Sequence, residues 1–199
     1  MFMFSSCSEP GCERQALSDA TKCSLHHPAL ASYRDALAVR IAEEASVKDL
    51  CLSGITFEGQ DFSRRKFICC SFTGATFRNT LFTGSVFRLC FFDAAFIESC
   101  DFSGIDAEFC SFADVDIIDT SFENSELIHI NFDGTRIRES TFTGSNLYDS
   151  RFILSVLENS NFSNCDMKKV YFIPARIENV SLKASNTNEA IRDMEHLYL

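Results

Sequence analysis

From Leu52 to Leu182 every fifth residue is apolar, 27 consecutive positions without an insertion, and sixteen of them are Phe. An α-helix repeats its faces every 3.6 residues and a strand every 2, so neither keeps such a series on one side. Two residues before each centre runs a second series of mostly small side chains, through Cys70, Ala75, Thr80, Ser85 and Cys90 to Val180, with Gln60 and Arg65 as exceptions. Two residues after the centre stand all seven glycines that follow Gly11. Asn79, Asn124, Asn159, Asn164 and Asn179 share that slot, and both residue types accept the positive φ of tight turns. Each unit therefore supplies a short extended piece and a turn, with one large and one small side chain facing inward. Successive units close into a coil, and coils stack like parallel strands about 4.8 Å apart.

The units CSFTG, ATFRN, TLFTG, SVFRL, SNLYD and SNFSN resemble those of the pentapeptide-repeat family, over about residues 50 to 184. The resemblance implies an all-β solenoid: a right-handed quadrilateral parallel β-helix with four units per coil and about seven coils. From Phe92 onward Phe alternates with smaller residues, which puts Phe on two opposite sides of each coil. Before it all four sides carry Phe, so that end is expected to be wider or differently packed. Cys70, Cys90 and Cys110 fall twenty apart and stack inward. They read as small fillers beside large rings, against the alternative of a metal or redox ladder.

The chain divides into a Cys/His head (1–27), a helix (28–48), the repeat (49–184) and a short C-terminal helix (185–199). In the head, Cys7, Cys12, Cys23 and His26, with His27 as an alternative, offer three thiolates and an imidazole, the donor set of a closed structural zinc site. Ordinary cysteines of a Cys-rich chain are the other reading. In the next segment Leu30, Tyr33, Leu37, Ile41 and Ala45 follow helical spacing and are expected to cap the first coil, or else to bind a partner. Near the end, Asn186 and Glu189 resemble a helix start, and Ile191, Met194, Leu197 and Tyr198 make an apolar stripe. Family members that protect topoisomerases dimerise through such a segment, which implies a homodimer here; a simple cap is the alternative.

A net charge of -10 argues against direct nucleic-acid binding. No apolar run approaches membrane-span length, and the start MFMFSS lacks the pattern of a signal peptide, so a cytoplasmic, non-membrane protein is expected. No catalytic motif appears, and the unbroken repeat offers no long loop to host one, so an enzyme is not expected. Between Arg88 and Arg136 stand eleven acids and no Lys or Arg. Asp93, Asp101, Asp106, Asp116 and Glu126 are candidate contacts for a cationic partner, and Phe91, Phe96 and Phe109, off the inward series, for an apolar one. Two functions follow: a rigid protein–protein interaction scaffold, or, as the resemblance implies, an acidic DNA mimic that binds DNA gyrase.

Overall fold

The computed structural model describes residues 4–193. Helix α1 (Leu30–Glu43) precedes twelve three-residue strands: β1 (Ser46–Lys48), β2 (Thr56–Glu58), β3 (Lys66–Ile68), β4 (Thr76–Arg78), β5 (Val86–Arg88), β6 (Phe96–Glu98), β7 (Asp106–Glu108), β8 (Asp116–Ile118), β9 (Glu126–Ile128), β10 (Arg136–Arg138), β11 (Val156–Glu158) and β12 (Arg176–Glu178). All pair in parallel, forming one sheet in the order β1-β3-β5-β7-β9 and a second in the order β2-β4-β6-β8-β10-β11-β12. The register sets Phe67 against Phe87 and Ile97 against Ile117, so one coil is twenty residues. Single bridges such as Ser71↔Phe91 and Asp101↔Ser121 join the other two sides. The result is a four-sided parallel β-solenoid of about seven turns. We call the sides first to fourth, after Val47, Leu52, Phe57 and Phe62 at their N-terminal ends.

The inward series is the core. Phe57 through Phe92 are each 0–1% exposed. In the first coils each ring meets its neighbour edge-on, Phe57 to Phe62 at 5.4 Å and 82° and Phe77 to Phe82 at 5.3 Å and 77°. The four-Phe layers are thus differently packed, as a pinwheel whose ring edges face ring faces. From Phe92 on, Phe occupies only the second and fourth sides, in columns of near-parallel rings such as Phe92–Phe112 at 4.4 Å and Phe142–Phe162 at 4.5 Å. Ile97, Ile117 and Ile137 fill one sheet side, and Ala107 and Leu127 the other. The small series satisfies itself: Ser85 Oγ donates to Phe62 O at 2.8 Å and Ser145 Oγ to Phe122 O at 2.6 Å. Cys90 Sγ takes the same position toward Phe67 O at 3.5 Å, and Cys70 Sγ and Cys110 Sγ donate to Ile68 O at 3.4 Å and Glu108 O at 3.5 Å, so the inner cysteines serve as weak donors and fillers.

The corners go further than Gly and Asn. Every fifth residue from Asp49 to Ala184 except Pro174 has φ between 48° and 75°, Leu89, Phe109 and Leu154 among them. Pro174 cannot follow, because its ring fixes φ near -65°. A side chain in this region costs about 1–2 kcal/mol against Gly. Leu154 (φ 57) is also 68% exposed, with little packing to lose. Leu154→Gly is therefore expected to stabilise the rod by about 1 kcal/mol, read as a higher urea midpoint.

The ends depart from expectation. The helix stops at Glu43 and Val47 lies in β1, 1% exposed, so the solenoid starts one unit earlier than the apolar series suggests. Leu37, Ala38 and Ile41 are buried on the first coil as a cap, whereas Ala45, past the helix end, is exposed. At the far end Ile177 keeps register with Leu157 yet is 48% exposed. The expected helix from Asn186 is absent among the described residues, which hold a single 3-10 turn, Thr187–Glu189. The Asn186 carboxamide accepts from Met167 N at 2.6 Å instead of capping a helix, and Ile191 pairs with Tyr171 as one more rung. Met194, Leu197 and Tyr198 of the expected stripe lie outside the described residues.

Candidate metal centre and partner-binding surface

The head is docked on the solenoid rather than tethered to it. Ser6 and Gln15 form an antiparallel bridge, and Leu17, 2% exposed, joins the core of the first coil. In later coils the residue equivalent to Cys51 pairs with the coil before, as Ser71 N does with Leu50 O at 2.8 Å. Cys51 has no preceding coil, and Ser18 takes its place. Ser18 N donates to Cys51 O at 3.1 Å, and Cys51 N donates to Ser18 Oγ at 2.7 Å. Tyr33 of α1 fixes this arrangement by donating to Ser18 O at 2.7 Å. An exposed sheet edge is thereby closed by one residue.

Ser18 lies between Cys12 and Cys23, and these cysteines converge with Cys7 and His26. The turn at Pro10–Gly11 brings Cys12 back toward Cys7, and Cys23 O accepts from His26 N at 3.1 Å, aiming the ring inward. The four donor atoms all lie within 4.8 Å of one another. Cys7 Sγ and Cys23 Sγ are each 3.5 Å from His26 Nδ1, and Cys12 Sγ is 3.9 Å from Cys23 Sγ. Zn–S of about 2.3 Å and Zn–N of about 2.05 Å give tetrahedral edges of about 3.8 Å between sulfurs and about 3.6 Å from sulfur to nitrogen. The donor set and these separations fit a zinc ion. Burial alone would raise the Cys7 thiol, but hydrogen bonds from the Glu9 and Cys23 amides and His26 outweigh it and hold it at about 6. Cys12 moves up: Arg14 favours its thiolate, but desolvation and the neighbouring thiols of Cys7 and Cys23 prevail. His27 is not a ligand candidate in this geometry, since its Nδ1 accepts from Ala29 N at 3.3 Å and its ring lies 4.8 Å from that of Tyr33.

The expected partner-binding residues do not form one patch. Asp106 and Glu126 lie on the first side, Phe91 and Asp93 on the second, Phe96 and Asp116 on the third and Asp101 on the fourth, so the acids make a belt. Much of the belt is engaged. Arg78 meets Glu98 at 3.0 Å, Arg88 meets Asp106 at 2.5 Å and Glu108 at 3.5 Å, and Arg151 meets Asp133. Asp101 accepts from Ser103 N at 2.8 Å and Asp93 from Ala113 N at 3.1 Å, completing outward backbone groups that the ladder leaves open. Phe96 lies under Arg78 at 5.1 Å. Phe109 alone of the three is strongly exposed, at 53%, at the corner between the first and second sides. Its ring lies flat on His129 at 4.7 Å and 4°, and His129 Nδ1 is 3.2 Å from Asp149 Oδ2.

Family comparison agrees with this architecture. A model described as Pentapeptide repeat region matches residues 115–191, and one described as Pentapeptide repeats (8 copies) matches 66–104. No curated protein sequence matches the chain. Among solved structures, HetL, a pentapeptide repeat protein involved in heterocyst differentiation regulation from Nostoc sp. strain PCC 7120, is 11% identical over 79% of this chain and 93% of its own, with a TM-score of 0.40. QnrB1, a plasmid-mediated fluoroquinolone resistance protein, is 20% identical over 77% of this chain and 100% of its own, at 0.34. Rfr23 from Cyanothece 51142 is 14% identical over 80% and 99%, at 0.29. Two family models covering more than half the sequence, laid over coils whose twenty-residue register holds from β1 to β12, make this chain a member of the pentapeptide-repeat family.

Proposed function

We propose that the chain is a non-enzymatic interaction scaffold, a rigid rod whose N-terminal cap is closed by zinc on Cys7, Cys12, Cys23 and His26. The carrying observation is the unbroken register: strands and bridges run from β1 to Ile191 without an inserted loop among the described residues. Such a surface holds side chains at fixed spacing but brings no chain segment over a substrate. Zinc supplies what so short a head lacks, a centre around which to fold. The test is affinity capture with the tagged, zinc-loaded full chain from its native cell, with crosslinks mapped to the rod. A specific partner crosslinked to the outward faces supports the scaffold; no partner, with or without zinc, removes it.

The second reading, a DNA mimic acting on gyrase, is favoured by the eleven acids between Arg88 and Arg136. Against it stand the arginine pairings of Glu98, Asp106 and Asp133, which lower the belt's net charge. A gyrase supercoiling assay separates the two. The scaffold reading expects neither inhibition nor quinolone protection at micromolar protein, whereas either effect would put the mimic first.

A further inference from the structure

One corner of the rod is unlike the other three. Asp49, Cys69, Leu89, Phe109, His129, Asp149 and Lys169 stack along it, all at positive φ, and none is Gly or Asn. Each of the other corners relaxes to Gly or Asn in several coils, as at Gly54, Gly74 and Gly134, or Gly84, Gly104 and Gly144. Bulky side chains in this conformation are rare because they are strained. Here two are kept at half-exposed positions, where burial repays only part of the strain, Leu89 at 44% and Phe109 at 53% exposure. Strain held at an exposed position points to use rather than to folding.

We propose that this ridge, Leu89–Phe109–His129, docks a basic amphipathic helix of a partner protein; the proposal rests on the scaffold reading and names the partner's chemistry. Two observations choose this occupant. The first is spacing: the ridge offers one side chain per rung of about 4.8 Å, so three rungs span about 9.6 Å. One face of a helix returns every 3.5 residues on average, about 10.5 Å over the same two steps. An extended strand needs about 13 Å and falls out of step. The second is charge. Beside the ridge stands Glu108, which shares Arg88 with Asp106; across the first side is Glu126, whose partner Asn146 is neutral; and on the ridge line Asp149 lies against His129, before Lys169. Lysines or arginines flanking an apolar stripe find these carboxylates on the first side.

The backbone conformation provides an unusual control. Leu89→Gly/Phe109→Gly removes the two hydrocarbon side chains of the ridge and relieves two strained positions, so the fold is expected to stay intact. The probe is a fluorescein-labelled helical peptide of about 14 residues, with Leu at one-turn spacing and Lys on both flanks. The comparison peptides replace Lys by Glu or scramble the order. By fluorescence anisotropy the full chain is expected to bind the Lys helix at least about tenfold tighter than either comparison, with affinity falling as salt rises. The double Gly variant is expected to lose about tenfold or more while its urea midpoint holds or rises. No binding of the Lys helix, equal binding of the Glu helix, or equal binding by the double variant overturns the proposal. A cellular partner captured equally by the double variant would leave the scaffold standing and remove only the ridge.

Discussion

Phe112→Ala is expected to destabilise the solenoid by about 3–5 kcal/mol, the cost of emptying a well-packed core position. Phe112 is 0% exposed, lies parallel to Phe92 at 4.4 Å and to Phe132 at 5.3 Å, and meets Phe102 and Phe122 edge-on. Its neighbours are anchored in their own rungs and cannot collapse into the gap, so the cavity persists. Because each coil touches only the next, the damage stays near the mutated coil and unfolding can begin there. Urea denaturation followed by circular dichroism should show a much lower midpoint, and hydrogen exchange should show fastest opening around residues 92–132. A loss under about 1 kcal/mol would mean that the rings are not closely packed.

Loss of the metal is expected to undo the N-terminal cap while sparing the middle of the rod. If Cys7, Cys12, Cys23 and His26 hold zinc, Ser18 is placed by the loop between two ligands, and Ser18 is what pairs with Cys51. Structural zinc in small modules is worth about 10–16 kcal/mol of apparent binding energy near neutral pH. Chelation, or Cys12→Ser, should therefore release the head, open the edge at Cys51 and expose the four-Phe layers to fraying. Elemental analysis should give one zinc per purified chain and almost none in the variant. Hydrogen exchange at Cys51 and Leu52 should rise by orders of magnitude, with residues 112–162 little changed, and the open edge should promote aggregation. Full-length protein that carries no zinc, or chelation without effect on those amides, would refute the metal's role.

Most of the rod was legible because a five-residue period with one large and one small inward residue leaves the backbone few options. The same period, carried around a coil of twenty, already distributes the acids over four sides and separates Phe96 from Phe109. What local spacing hid were the ends. Val47 has helix-compatible neighbours, but its burial against Phe67 is a long-range pairing. Ser18 looks like an ordinary loop residue, and its partnership with Cys51 crosses 33 positions. His26 and His27 offer the same chemistry, and only their folded surroundings separate them: His26 Nδ1 faces two thiols, while His27 accepts from Ala29 N and packs on Tyr33. At the other end the Asn186 Oδ1 accepts from Met167 N instead of from a backbone N–H of its own turn, where only Nδ2 is engaged, by Glu189; this tertiary choice overrides a local cap signal.

The register has a consequence for how such a chain can change length. Since residue n sits over residue n + 20 throughout, as Phe77 over Ile97 and Ile97 over Ile117, removing one full coil rejoins the same phase. The molecule shortens by about 4.8 Å and every later side chain keeps its compass direction. Removing one unit also preserves the inward series, yet turns everything beyond it by a quarter circle, carrying later ridge residues to a different face. Length is thus quantised and orientation is coupled to it: whatever the two ends hold can be moved apart in whole coils without being rotated.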